Sequence, residues 1–188
     1  MEMLVVFLII SMGLYGAVTL VFSNLMHQEQ DEDNLVAMNL AREMLELAQN
    51  KRDSNWLASG AIDTGLHSGV DCTAVPNWNG TAFPTFDFTP NTILDAGAVV
   101  NRSTNAASPG MFTNQAGTST SYSRLMTFSY ICAKPADHSA TIIDAACGCT
   151  TNPLYTDMIG MRAKADVRWD RKGVIRSISV YTDQYDWR

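Results

Sequence analysis

Residues 3–22 read MLVVFLIISMGLYGAVTLVF, from Met3 to Phe22, without one charged side chain. At about 1.5 Å per residue the run makes a helix roughly 30 Å long, which matches the hydrocarbon core of a bilayer. A cleaved secretory signal is not expected. The apolar run is too long for one, no basic region stands before it, and no small-residue cleavage site follows it.

What comes next separates a plain membrane anchor from something more. Residues 25–57, LMHQEQDEDNLVAMNLAREMLELAQNKRDSNWL, hold no Pro or Gly and are rich in helix formers. Val36, Leu40, Met44 and Leu47 recur at helical spacing, and Ala37, Ala41, Leu45 and Ala48 widen the stripe. Asp33, Arg42, Glu43, Glu46 and Asn50 are expected on the opposite face. The pattern predicts one continuous helix from about Met3 to about Leu57, on the order of 80 Å long. Residues 1–24 form its half that is apolar all round, and residues 25–57 its amphipathic half. A chain of 188 residues holds one domain with a core, but no compact domain of that size can bury such a rod. The leading half must therefore lie in lipid or among other copies of itself.

Residues 58–188 are expected to form a globular head. Its first part, 58–121, is dense in Gly, Asn, Thr, Ser, Ala and Pro and reads as a long irregular loop region, with NRSTNAASPGMFTNQAGTSTS at 101–121 nearly low in complexity. Trp78, Phe83, Phe86 and Phe88 interrupt it; they either pack the loop down or line a binding surface. Asn79-Gly80-Thr81 and Asn101-Arg102-Ser103 fit the N-glycosylation pattern, which makes Asn79 and Asn101 candidate acceptors. The second part, 122–188, carries strands. Met126, Phe128 and Tyr130 alternate with Ser or Thr, and Met161, Ala163, Ala165, Val167 and Trp169 alternate with Arg162, Lys164, Asp166 and Arg168. Asp170-Arg171-Lys172-Gly173 reads as a hairpin turn leading into a strand from Val174 to Thr182. The expected class is α+β: the long helix packed, by its amphipathic half, on a small antiparallel sheet of three to four strands.

The net charge is -6, and an acidic surface argues against nucleic acid as the main ligand. Charge is also uneven. No Lys or Arg precedes Arg42, seven of the thirteen lie beyond position 160, and Glu29, Asp31, Glu32 and Asp33 cluster on the helix. Such asymmetry suits either a subunit whose ends meet different neighbours or simply two solvated faces. Four cysteines, Cys72, Cys132, Cys147 and Cys149, follow the apolar run. Disulfides are expected over metal binding, because Cys147-Gly148-Cys149 is the one close pair and no His stands near it at ligand spacing. Neighbours two apart rarely bridge each other, so Cys132 is expected to pair with Cys147 or Cys149, and Cys72 with the other. Bridges imply an oxidising compartment outside the cytoplasm.

An N-terminal apolar helix running into a small antiparallel sheet with late cysteines resembles the type IV pilin family. Met1-Glu2-Met3-Leu4-Val5-Val6 and the run behind it carry the resemblance. Ala41-Arg42-Glu43-Met44-Leu45-Glu46, Arg52-Asp53-Ser54-Asn55-Trp56-Leu57, Trp169 and the closing Asp186-Trp187-Arg188 are similar to later parts of some bacterial pilin-like proteins. The likeness covers about the first 57 and last 70 residues; the middle of the chain matches no family pattern. In that family a glutamate stands just behind a processed, N-methylated amino terminus, and Glu2 matches it. The resemblance implies that Glu2 pairs with the amino terminus of a neighbouring subunit and sets axial register, rather than sitting solvated among headgroups. It implies that Met3, Leu4, Val5, Val6, Phe7, Leu8, Ile9 and Ile10, with Gly13 and Gly16, line a filament core, the two glycines allowing either local melting or close helix packing. Family members have three further residues ahead of the position matched by Met1, so this chain is expected to begin slightly inside the mature protein. The family's mid-helix proline is replaced by Thr19.

The resemblance further implies a subunit held in the cytoplasmic membrane, processed by a leader peptidase, and polymerised by an inner-membrane machine into an extracellular filament serving adhesion, motility or uptake. Alternatives are a pseudopilin of a secretion machine, a tip adhesin, and a membrane-anchored binding protein that does not polymerise. No cofactor and no enzymatic role is expected. His27, His67 and His138 are scattered, and the sequence holds no HExxH, Gly-x-Ser-x-Gly, phosphate-binding Gly loop or EF-hand pattern.

Overall fold

The computed structural model describes residues 2–69, 71–77, 85–106, 109–136, 138, 141–144 and 147–186. Among the described residues one α-helix, α1, runs Glu2–Leu57. Eight strands follow: β1 (Thr73–Asn77), β2 (Thr85–Asp87), β3 (Val99–Ser103), β4 (Phe112–Thr113), β5 (Gly117–Ala133), β6 (Thr141–Asp144), β7 (Asp157–Arg171) and β8 (Val174–Tyr185). The class is α+β, with the long N-terminal helix and an antiparallel sheet.

The chain divides into two compact units inside α1, one ending at Val36 and the other beginning at Ala37. This lies beyond the 24/25 boundary that the hydropathy pattern suggests. Charge reappears on the helix at Glu29, whereas the second unit starts at Ala37, the first helix residue to be wholly buried.

Within the second unit β5 is the central strand. β7 pairs along one edge of it, from Tyr122↔Trp169 to Ala133↔Asp157, and β8 pairs with the far side of β7. Three short strands share the other edge in succession: β3 opposite Gly117 to Ser123, β1 opposite Met126 and Thr127, and β6 opposite Tyr130 to Ala133. β4 extends β3, and β2 extends β1. Eight strands thus replace the expected three to four, and β1 to β4 together with the start of β5 occupy the stretch 58–121 read as loop. The reason is physical. These strands are two to five residues long or polar on both sides, so they carry no period-two signal; β5 supplies the partner that holds them extended.

Alternation sorts the sheet into two faces. Tyr122, Arg124, Met126, Phe128 and Tyr130 of β5 lie level with Trp169, Val167, Ala165, Ala163 and Met161 of β7, and all ten are buried. Arg124 reaches Glu43 of α1, so this is the face turned to the helix. On α1 the buried residues are Ala37, Leu40, Ala41, Met44, Ala48 and Asn55. Alanine recurs on both sides of this layer, at Ala37, Ala41 and Ala48 of α1 and at Ala163 and Ala165 of β7. Glu43, expected on the solvated face, is instead half-buried at the flank of the stripe. On the other sheet face Leu125 is covered by Val75, Ala98 and Ile93, so part of the middle segment packs there.

β7 turns into β8 through Lys172 and Gly173, both at positive φ (52° and 81°), the geometry of a two-residue hairpin loop. The Gly173 backbone N–H donates to Asp170 Oδ1 at 2.9 Å.

Candidate functional site: an exposed apolar helix surface

From Glu2 to Glu29 the helix carries no Asp, Lys, Arg or further Glu. It is long and apolar enough to cross a membrane. Every large apolar side chain from Met3 to Ile10 is exposed, with Met3 75%, Phe7 69% and Ile10 58% accessible. Leu14, Tyr15, Leu20 and Phe22 continue the surface. In water this would be costly, since each large aliphatic group hidden from water gains about 1.5–3 kcal/mol. Two of its hydroxyls bond back to the helix. Ser11 Oγ donates to the Leu8 carbonyl and Thr19 Oγ1 to the Gly16 carbonyl, each at 2.9 Å. Hydroxyls that bond back to their own helix suit an environment without water. A Cβ added at Gly13 or Gly16 would meet nothing within 4 Å, so both glycines are open to an outside neighbour. Glu2 opens the helix and is exposed; Met1 lies outside the described residues.

In the second unit the cysteines form two bridges, Cys72–Cys147 and Cys132–Cys149. The carboxylate of Asp144, at the end of β6, accepts from the backbone N–H groups of Thr150 and Thr151 (3.2 and 2.9 Å) and from the Thr151 hydroxyl (2.6 Å). It closes the cysteine loop onto the sheet.

Two buried polar side chains, Arg124 and Tyr130, belong to no sequence motif. Arg124 donates to Glu43 Oε2 at 2.8 Å and to Asn114 Oδ1 at 2.6 Å. The Asn114 amide in turn donates to the carbonyls of Ala98 and Val99 at 3.1 and 3.2 Å. Helix, central strand and middle segment are joined through this one guanidinium, whose burial pulls its pKa down against the pull of Glu43. Tyr130 donates to Asp63 Oδ2 at 3.0 Å, and His67 Nε2 lies 3.1 Å from the same oxygen. Burial first, and then the Asp63 charge, raise the Tyr130 phenol well above its ordinary range.

His67 Nδ1 accepts from the Gly69 N–H, and His138 is bound to Asp157 at 2.5 Å. His27 is exposed on α1. Among the described residues no group of His, Cys, Asp or Glu is arranged to hold a metal.

Of the middle aromatics, Phe86 packs edge-on against Phe128 at 5.8 Å and Phe88 is half-buried; Trp78 and Phe83 lie outside the described residues. The candidate acceptor Asn79 also lies outside them. Asn101 sits in β3 between β4 and β5, and its side-chain amide donates to the Gln115 carbonyl at 2.7 Å. No model of a known protein family matches the chain, and no curated protein or solved structure matches it either.

Proposed function

We infer that this chain is the repeating subunit of an extracellular helical filament of the type IV pilin class, held in the cytoplasmic membrane before assembly, with a structural and not a catalytic role. The observation that carries the reading is the exposed apolar surface from Met3 to Phe22, a stretch of α1 in which no residue is buried. Lipid and sister helices are about equally apolar, so moving this surface from one to the other is nearly neutral per residue. Shape fit and charge pairing then decide assembly. Glu2 supplies the charge: a carboxylate among apolar helices is costly, and the amino terminus of a neighbour offsets it.

The test is an assembly assay on Glu2→Ala and Glu2→Gln, with Ile10→Cys as a cross-linking reporter. Both Glu2 variants are expected to enter the membrane but to give few or no filaments, and Ile10→Cys to cross-link between subunits only after assembly. Wild-type filament yield from both Glu2 variants would remove the register role. A membrane-anchored head that does not polymerise is the second reading, favoured by the back-bonded Ser11 and Thr19 hydroxyls, which serve a lone helix in lipid equally well. It predicts no cross-linked ladder under any condition.

A further inference from the structure

The second unit contains a cleft of about 350 Å³ lined by Arg52, Asp53, Trp56, Leu57, Ile62 and Tyr185. It lies at the C-terminal end of α1, and three local devices hold it in shape. First, the helix end is closed by its own backbone: Ala58, Ser59 and Gly60 donate to the carbonyls of Ser54, Trp56 and Asn55 at 3.1, 3.0 and 2.9 Å. Those three carbonyls are thereby satisfied. Second, the buried Asn55 amide donates to the carbonyls of Ile62 and Thr64 at 3.2 and 2.8 Å, which fastens the following loop beneath the helix and seats Ile62, 1% exposed, in the cleft's lining. Third, Tyr185 is seated on Gly160 of β7. A Cβ there would stand 3.2 Å from Tyr185 Cδ1 and 2.5 Å from the Gln184 carbonyl, so the absent side chain fixes where the phenol ring goes.

The lining combines aromatic surface with a self-compensated charge pair. Trp56 is 46% exposed and Tyr185 41%. Arg52 Nε and Nη2 both donate to Asp53 Oδ1, at 2.8 and 2.5 Å. The other Asp53 oxygen has no partner among the described residues. The two charges nearly cancel, and a neutral ring with an apolar C–H face and hydroxyls on its rim fits this lining: the face lies against aromatic carbon, and a hydroxyl donates to the second Asp53 oxygen. The volume is at the lower end of small-ligand sites and suits one or two rings.

We propose that this cleft binds a neutral pyranose, the terminal sugar of a surface carbohydrate, with Trp56 as the platform and Asp53 as the hydroxyl acceptor. The proposal concerns the second unit alone and does not rest on the polymer reading. About a dozen non-hydrogen atoms at ordinary ligand efficiency give a Kd on the order of 1 mM for a single sugar.

The experiment is saturation-transfer NMR on the full chain in a zwitterionic detergent, since a maltoside would compete. The probes are the methyl glycosides of glucose, galactose, mannose and N-acetylglucosamine. At least one is expected to receive saturation on the C–H groups of one ring face. Trp56→Ala should weaken that binding about tenfold or more, as loss of an aromatic face does. Trp56→Phe should retain part of it, Asp53→Asn should weaken it, and Leu94→Ala, at an exposed site outside the cleft lining, should leave it unchanged. No transfer to any of the four at about tenfold the expected Kd, or equal transfer in wild type and Trp56→Ala, would overturn the assignment. So would a concentration-dependent association that Trp56→Ala abolishes while no glycoside binds, because the cleft would then be filled by a second copy of the chain.

Discussion

Arg124 is 1% exposed and held by Glu43 and Asn114. Truncating it leaves a void and strands Asn114 Oδ1. Arg124→Ala is therefore expected to cost about 3 kcal/mol or more, whereas Arg124→Met, which keeps most of the volume and removes the buried charge, should cost markedly less. Urea unfolding followed by tryptophan fluorescence separates the two. Tyr130 gives a pH signature. Its phenol is raised in the folded state by burial and by Asp63, so the stability it contributes is complete below about pH 10, the ordinary phenol value, and is lost as pH rises above it. Urea midpoints at pH 8 and pH 11 should fall further for the wild type than for Tyr130→Phe. At this scale the sequence is half legible. Arg124 has the same parity as Tyr122, Met126, Phe128 and Tyr130, so alternation alone points it inward. Its partner Glu43 stands 81 residues away in sequence, and no local pattern reaches that far.

At the scale of elements, local periodicity was sufficient wherever an element carries its own signal. α1, β7, the Lys172-Gly173 turn and β8 all follow from spacing. β1 to β4 do not, because a strand of a few polar residues takes its conformation from its partner. The bridges add ties that short strands cannot provide. Cys132–Cys149 spans 17 residues and Cys72–Cys147 spans 75. By loop-closure entropy, replacing the first pair with serines should cost about 3 kcal/mol and the second about 4.5 kcal/mol. Chemical denaturation of the two double variants, Cys132→Ser/Cys149→Ser and Cys72→Ser/Cys147→Ser, checks both the size and the order. The candidate cleft was invisible in the sequence for a related reason. Trp56 and Tyr185 come from opposite ends of the second unit, and the seat for Tyr185 is a missing side chain at Gly160.

For the whole molecule, the division at Val36/Ala37 makes a direct prediction. The wholly buried side chains that α1 contributes begin at Ala37, and both disulfides lie beyond it. A fragment of residues 37–188 should fold, oxidise both cysteine pairs and remain monomeric in water by light scattering, whereas the full chain should need lipid or detergent. Aggregation of that fragment, or a full chain soluble without detergent, would contradict the division of labour between helix and head. The manner in which β5 is bordered bears on how the chain is made. β1 to β4 come earlier in the chain than β5, yet two of them depend on it as template, while β7 arrives later still. A polypeptide threaded across a membrane amino end first thus delivers its border strands before the strand that organises them. Under the membrane-held stage proposed above, the leading helix would already be lodged in the bilayer by then, and each unfinished head would wait tethered until the last hairpin had crossed.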